Sequence, residues 1–238
     1  MLTMKRLSPE EFSVAVTLPR FDIYAGIHKA LRAMMMETLR TAGCVDIHDA
    51  DEVHAVYESV LGLAGTCATH LEHENEFIHP AMESRCTGSS AGVATEHAQH
   101  LAALARLCDA AASLRICTSS PEREQAAQAL YREIALFVGE NFAHMHTEET
   151  KHNPVLWAYY GDDELRALEG RIVASLPPEE NLQVMRWMIP AMTPAERATL
   201  LEGIKNTAPA AAYAAILDTV RQYLSPKDWC KLEISPQE

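Results

Sequence analysis

Apolar residues recur at helical spacing along most of the chain, and no segment shows the alternation of a half-buried strand. Four long helices are predicted, over about residues 21–42, from residue 49 or 51 to 78, over 93–117, and from the segment 118–124 to 152. Gly43 is expected to stop the first, and Pro80 and Pro154 are expected to end the second and fourth. This pattern predicts an all-α fold, an antiparallel up-down four-helix bundle.

The remainder of the chain has a different pattern. Its predicted helices are short, and prolines separate them in the segments 176–180, 192–196 and 207–211. We therefore predict two parts, a bundle over residues 20–155 and an appendage of short helices over 156–238 that packs on the bundle.

Composition and charge narrow the classes of function. The chain has 238 residues, of which 20 are Lys or Arg and 33 are Asp or Glu, so its net charge is −13. Such a field repels nucleic acid and anionic membranes, so neither is expected as a partner. Six cysteines without a C-x-x-C pair, no signal-like segment and no membrane-length apolar run favour reduced thiols and a cytoplasmic location.

One motif occurs twice in the chain. His70 is followed four residues later by Glu74, and His144 is followed four residues later by Glu148. In both copies a proline stands ten residues after the histidine. Residues at i and i+4 lie about 40° apart on one helix face, so an imidazole and a carboxylate can converge on one metal ion. Because a carboxylate has two oxygens, each glutamate can also bridge two ions.

Each copy of the motif follows a helix that carries its own histidines. His28 lies 42 residues before His70, whereas His100 lies 44 and His97 lies 47 residues before His144. This part of the chain is therefore predicted to form two helical hairpins of similar plan. Packed in a bundle, their histidines and glutamates would surround a shared centre for two metal ions.

These segments resemble the hemerythrin-like family of cation-binding bundles. The resemblance covers about residues 20–155 and rests on the segments GIHKALR, HLEHENEFIHP, TEHAQH and HMHTEETKHNP. It implies a bundle that binds two irons through histidines and two bridging carboxylates, with a bridging oxo or hydroxo group and an open position for dioxygen. The implied ligands are His28, His70, Glu74, His97, His100, His144 and Glu148.

The chain departs from the oxygen-carrying members of that family. Two histidines of their third helix are four residues apart, but His97 and His100 are three apart, and Glu96 and His100 have the spacing of four. Which of these three residues bind metal therefore stays open. Four residues are predicted as supporting groups or spare ligands: His73, Glu96, Tyr24 and Cys67.

A second ligand set is also compatible with the sequence. Glu76 with His79, and Glu149 with His152, form the E-x-x-H motif of ferritin-like di-iron bundles, with Glu37 and Glu96 as the lone carboxylates. Because each E-x-x-H pair lies beside a proline at a predicted helix end, we expect His79 and His152 to lie at the rim or to cap the helices.

Ligand type indicates the metal and the function. Mixed imidazole and carboxylate ligands suit iron or manganese, and they also suit zinc. Neutral, histidine-rich ligation favours binding of dioxygen, peroxide or NO for sensing, storage or mild oxidation. One alternative is a di-iron oxidase or oxygenase that acts on a small molecule. Another is a metal-stabilised interaction module, since the apolar segment MRWMIPAM at 185–192 would suit docking or a homodimer. No catalytic residue is assigned.

Overall fold

The computed structural model describes residues 20–234, which form helices and contain no strand, as predicted for an all-α protein. Residues 1–19 and 235–238 lie outside the described part, and the prediction that the amino-terminal segment is not a signal peptide concerns these residues. The α-helices are α1 (Ala25–Gly43), α2 (Ala50–His73), α3 (His79–Arg85), α4 (Ala91–Ile116), α5 (Ser120–Thr147), α6 (Asn153–Tyr159), α7 (Asp162–Ser175), α8 (Pro178–Ala191), α9 (Pro194–Thr207), α10 (Ala210–Tyr223) and α11 (Pro226–Ile234).

The four long helices enclose one hydrophobic core. α1 contacts α2 and α5, and α4 also contacts α2 and α5, so the four helices form a closed ring. The core inside it includes Leu31 and Met35 of α1, Leu63 of α2, Leu107 of α4 and Phe137 of α5. The buried residues of each long helix recur mostly every three or four positions, which gives each of these helices one apolar face.

Local signals explain where these helices begin. The Asp49 side chain accepts hydrogen bonds from the backbone N–H groups of Asp51 and Glu52, so Asp49 is the cap of α2. Pro121 lies in the first turn of α5, where its missing N–H has no cost.

The prediction that Pro80 and Pro154 end their helices is wrong. Short π-helical turns, Glu74–Ile78 and Glu148–His152, precede the two prolines, and α3 and α6 then carry the chain through them. Each π-turn is closed by a hydrogen bond over five residues, from the His79 and Asn153 N–H groups to the Glu74 and Glu148 carbonyls. A proline lacks the N–H for the usual α-helical bond and clashes with the carbonyl four residues earlier, and a wider turn accommodates both.

The helices after α6 pack on the ring in two places. Leu165 and Leu168 of α7 join Ile23 and Tyr24, which precede α1, and residues of the first π-turn, α3 and α6 in a second hydrophobic cluster. Helix α8 lies against α1, and α8–α11 share a third cluster. The apolar segment 185–192 is therefore used for packing within the chain. The domain boundary at 155/156 stays a prediction, and it falls inside α6. Within residues 20–234, every helix is too short or too polar to cross a membrane.

Candidate metal centre

Donor atoms from all four long helices converge at the level of the π-turns. His28, His70, Glu74 and Glu148 each place one donor atom within 4.8 Å of the others, and we call this set the α1/α2 position. Glu74, His97, His144 and Glu148 do the same on the other side, and we call this set the α4/α5 position. The two glutamates belong to both sets, so the centre has two positions that could each hold a metal ion.

Each glutamate turns one carboxylate oxygen towards each position. Glu74 Oε1 lies 3.2 Å from His70 Nε2, and Glu74 Oε2 lies 3.3 Å from His97 Nε2. Glu148 Oε2 lies 3.4 Å from His28 Nε2, and Glu148 Oε1 lies 3.2 Å from His144 Nε2. The two copies of the H-x-x-x-E motif are thus related by an approximate twofold arrangement of donors.

These separations fit shared coordination of a metal ion. Two donors that are about 2.1 Å from one ion and about 90–110° apart lie about 3.0–3.4 Å from each other. The four glutamate oxygens and the Nε2 atoms of the four histidines are also buried without a hydrogen-bond partner. Leaving each such group unpaired costs about 1–3 kcal/mol, and coordination to a cation removes that cost.

Hydrogen bonds behind three of the histidines fix their orientation. The Nδ1 atom of His28 lies 2.9 Å from Glu149 Oε1, and Arg32 holds that carboxylate through both of its oxygens. The Nδ1 atom of His97 lies 3.0 Å from Asn75 Oδ1. Because these oxygens can only accept, Nδ1 donates, and neutral imidazole then keeps its Nε2 lone pair for a metal.

The residue after each shared glutamate thus supports the histidine on the neighbouring helix, which extends the twofold relation. The relation fails at the next pair. His144 Nδ1 donates to Glu96 Oε2 at 2.8 Å, but the position equivalent to Glu96 is occupied by Ile27, whose alkyl side chain offers His70 no acceptor. The two metal positions therefore differ in their surroundings.

The two carboxylates have opposite pKa shifts. Burial and the neighbouring Glu148 charge raise the pKa of Glu74 well above its ordinary value. Burial also raises the pKa of Glu148, but the surrounding histidines His144, His28 and His97 outweigh it and hold the pKa well below its ordinary value. Without cations, the centre favours one protonated and one ionised carboxylate, since two ionised carboxylates at this distance repel.

The pKa values of the histidines around the centre also shift in opposite directions. Burial lowers the pKa of His28, but contacts with Glu148 and Glu149 outweigh it and the net pKa is raised. His144 behaves similarly, through Glu148 and Glu96. Burial lowers the pKa of His70 to about 3. A neutral imidazole at His70 is ready to bind a metal without first losing a proton.

The structure corrects our placement of His79 and His152 at the rim. Both are buried, and together with Glu148 they form a third group of donor atoms within 4.8 Å of one another. The π-turn places His79 one wide turn below Glu74 and so on its inner face, whereas a continuous α-helix would turn it away. The signal in the sequence was the proline that follows each E-x-x-H pair, and it was interpreted only as a helix end.

The other predicted residues lie around this set. The His100 ring is 4.6 Å from the His144 ring, but His100 does not belong to the three convergent groups of donors. His73 Nε2 lies 3.2 Å from Ser175 Oγ of α7. Tyr24 is fully buried, and its hydroxyl lies 3.2 Å from His152 Nδ1. Cys67 belongs to the hydrophobic core, and burial raises the pKa of its thiol to about 12.

The carboxylates of the ferritin-like ligand set do not converge with their histidines. Glu76 is exposed, Glu37 pairs with Arg40 along α1, and Glu149 is held by His28 and Arg32.

The chain was also compared with known proteins. No family model, no curated protein and no solved structure matches it. Its function must therefore be argued from the geometry of the centre.

Proposed function

We propose that this chain is a hemerythrin-like di-iron protein, built on an antiparallel four-helix bundle, that binds dioxygen or a related small molecule such as peroxide or NO. One observation carries the proposal. Glu74 and Glu148 each turn one oxygen towards His28 and His70 and the other towards His97 and His144. Two equivalent bridging carboxylates between two histidine pairs suit two cations about one bundle axis.

Iron held there would supply a redox-active Lewis acid with affinity for dioxygen. The chain's own residues supply the setting. Four histidines and two glutamates would hold the ions, while Glu149, Asn75 and Glu96 orient three of the histidines. The donor atoms of the four histidines and the two glutamates are buried, which limits their contact with water. Mostly neutral donors favour reversible binding over formation of strongly oxidising species.

The proposal is tested by metal content and by spectra. Protein reconstituted with Fe²⁺ without oxygen is expected to bind two ions per chain and to develop a visible absorption band when oxygen is admitted. His70→Ala is expected to lose metal, whereas His54→Ala, at an exposed histidine of the same helix, keeps it. Wild-type protein that binds no iron, or full loading of His70→Ala, would reject the assignment.

A second function, oxidation of a small molecule by the same centre, is favoured by a cavity. A space of about 850 Å³ lies beside α1 and α2, and His70 and Glu74 of the α1/α2 position are among its lining residues. A binder of dioxygen alone needs no such volume, whereas an oxidase or oxygenase must admit its substrate to the metal. A visible band that decays within one turnover, faster when substrate is added, would select the oxidase over the binder.

A further inference from the structure

The cavity lies between the ring of long helices and the appended helices. One wall comes from α1 and α2, and the other comes from the end of α7 and from α8. Its volume of about 850 Å³ falls in the range of pockets that hold drug-sized molecules. The helices after α6 therefore form one side of a binding space as well as packing on the ring.

The α2 wall is built from small residues at helical spacing. Ser59, Gly62, Thr66 and Thr69 follow one another along one face, with Gly65 beside them. A Cβ atom added at Gly62 or at Gly65 would meet no other atom within 4 Å. Glycine costs about 1 kcal/mol relative to alanine inside a helix, so helix stability does not explain this pair. The missing side chains leave the space that the cavity occupies.

The facing wall is apolar. It includes partly exposed side chains of α7, of α8 and of Leu176 between them: Ile172, Val173, Leu176, Val184, Trp187 and Met188. Apolar area of this kind gains about 25 cal/mol per Å² when a ligand removes it from water. The occupant that this wall favours is therefore largely apolar.

Charge around the cavity selects against anions. Glu58 and Glu180 line it, whereas Arg186 is the one arginine or lysine in its described lining. Glu169 also lines it, and burial raises the pKa of this carboxyl. Glu37 also lines the cavity, but Arg40 balances its charge. A carboxylate or phosphate group would meet this acidic surface at a cost, whereas a neutral or cationic group would not.

The inner end of the cavity reaches the metal centre on one side only. Both oxygens of Glu74 and the Nε2 atom of His70 are buried and lack a hydrogen-bond partner. His97 and His144 of the α4/α5 position are not among the described lining residues. A molecule in the cavity therefore approaches the α1/α2 position and not the other.

We propose that this cavity binds a neutral or cationic, largely apolar small molecule and presents it to the α1/α2 position. The second step rests on the proposed metal function, whereas binding in the cavity does not. This names the class of substrate for the oxidase alternative.

The test measures binding of the neutral dye Nile red by fluorescence to the full chain. Gly65→Leu directs a side chain into the cavity and is expected to weaken dye binding at least about tenfold. Gly139→Leu is the matched control, because Gly139 is an exposed helical glycine of α5 with no atom within 4 Å of an added Cβ. Should Gly65→Leu not fold, Val184→Trp fills the same space from the opposite wall.

Three ten-carbon competitors then test the charge selectivity. Decanol and decylamine are expected to displace the dye at least about tenfold more effectively than decanoate. Dye binding that is unchanged in Gly65→Leu, or decanoate that competes as well as decanol, would overturn the proposal.

Approach to the metal is tested with Co²⁺-loaded protein, whose visible spectrum depends on coordination. Decanol is expected to change the spectrum of the wild type but not that of Gly65→Leu, and an unchanged wild-type spectrum would reject the second step. Failures of the two proposals are distinguishable. A chain that binds no metal but binds dye in a Gly65-dependent way keeps the cavity and rejects the metal centre, and the reverse result rejects only the cavity.

Discussion

Replacing Glu74 with glutamine separates the role of this residue in the folded chain from its proposed role in binding metal. Burial and the nearby Glu148 charge raise the pKa of Glu74 well above its ordinary value, which favours the neutral form of this side chain when no metal is bound. Glutamine has the same size and is also neutral. The free energy of unfolding of the metal-free protein is therefore expected to change by less than about 1 kcal/mol.

The metal-loaded variant should behave differently, because a glutamine cannot supply a charged oxygen to both positions. Losing one charge-assisted contact at each position costs about 1.5–3 kcal/mol per ion, or about 3–6 kcal/mol for the pair. Stabilisation by bound metal falls by the same amount when free metal is in excess. At about 2–4 °C per kcal/mol for a chain of this size, the melting temperature with metal should drop by about 6–24 °C.

The matched control is Glu148→Gln. Three histidines hold the pKa of Glu148 well below its ordinary value, so its negative charge interacts with these histidines even without metal. Removing one partner of such a buried set costs about 3–5 kcal/mol, so this variant should lose stability in chelator as well. Melting curves with chelator and with excess Mn²⁺ or Zn²⁺ measure both effects. The reasoning is refuted if Glu74→Gln keeps the metal-dependent rise in melting temperature seen in the wild type.

Two further predictions concern the surroundings of the centre. Glu149→Gln removes the charge that contacts His28 and Arg32, and it should lower metal affinity about 10–100-fold. Competition with a chelating dye measures this affinity, and Glu133→Gln, at an exposed ion pair, should leave it unchanged. Equal effects of the two substitutions would contradict the role of Glu149. Acidification from about pH 6.5 to 4 should destabilise the metal-free protein by up to about 1.4 kcal/mol per pH unit for each buried histidine of lowered pKa, because the unfolded chain takes up these protons first. Those histidines are His70, with a pKa of about 3, His79 and His100, with pKa values of about 4, and His152, whose pKa is also lowered, in each case mainly by burial. Urea midpoints in chelator measure the trend, and a rise in stability over this range would refute it.

The sequence pattern predicted the helical class, and it predicted that the histidines and glutamates of the two repeated motifs lie close together. Periodicity and the Asp49 cap located the long helices, since both depend on local residues. The repeated spacing of histidine and glutamate predicted that His70 and Glu74 share one face of their helix and that His144 and Glu148 share one face of theirs. That inference needs only the geometry of a single helix, and the structure places these residues within a few ångströms of one another.

Features that depend on a break in helix geometry could not be predicted in this way. His79 and His152 lie inside because a π-turn precedes each, and a proline in the sequence does not distinguish a turn that widens from a helix that ends. The cavity was missed for another reason. It exists only where α8 faces Gly62 and Gly65, and contacts between distant segments leave no local signal.

The distribution of donors along the chain has a consequence for folding. Each long helix contributes one histidine to the two candidate metal positions, at residues 28, 70, 97 and 144. Two bound metal ions would therefore link points of the chain that are 42, 27 and 47 residues apart. Closing loops of such lengths consumes conformational entropy, and a link formed early lowers that cost for every later contact. Cations present during refolding should therefore hasten the pairing of the helices, whereas cations added afterwards would only slow their separation.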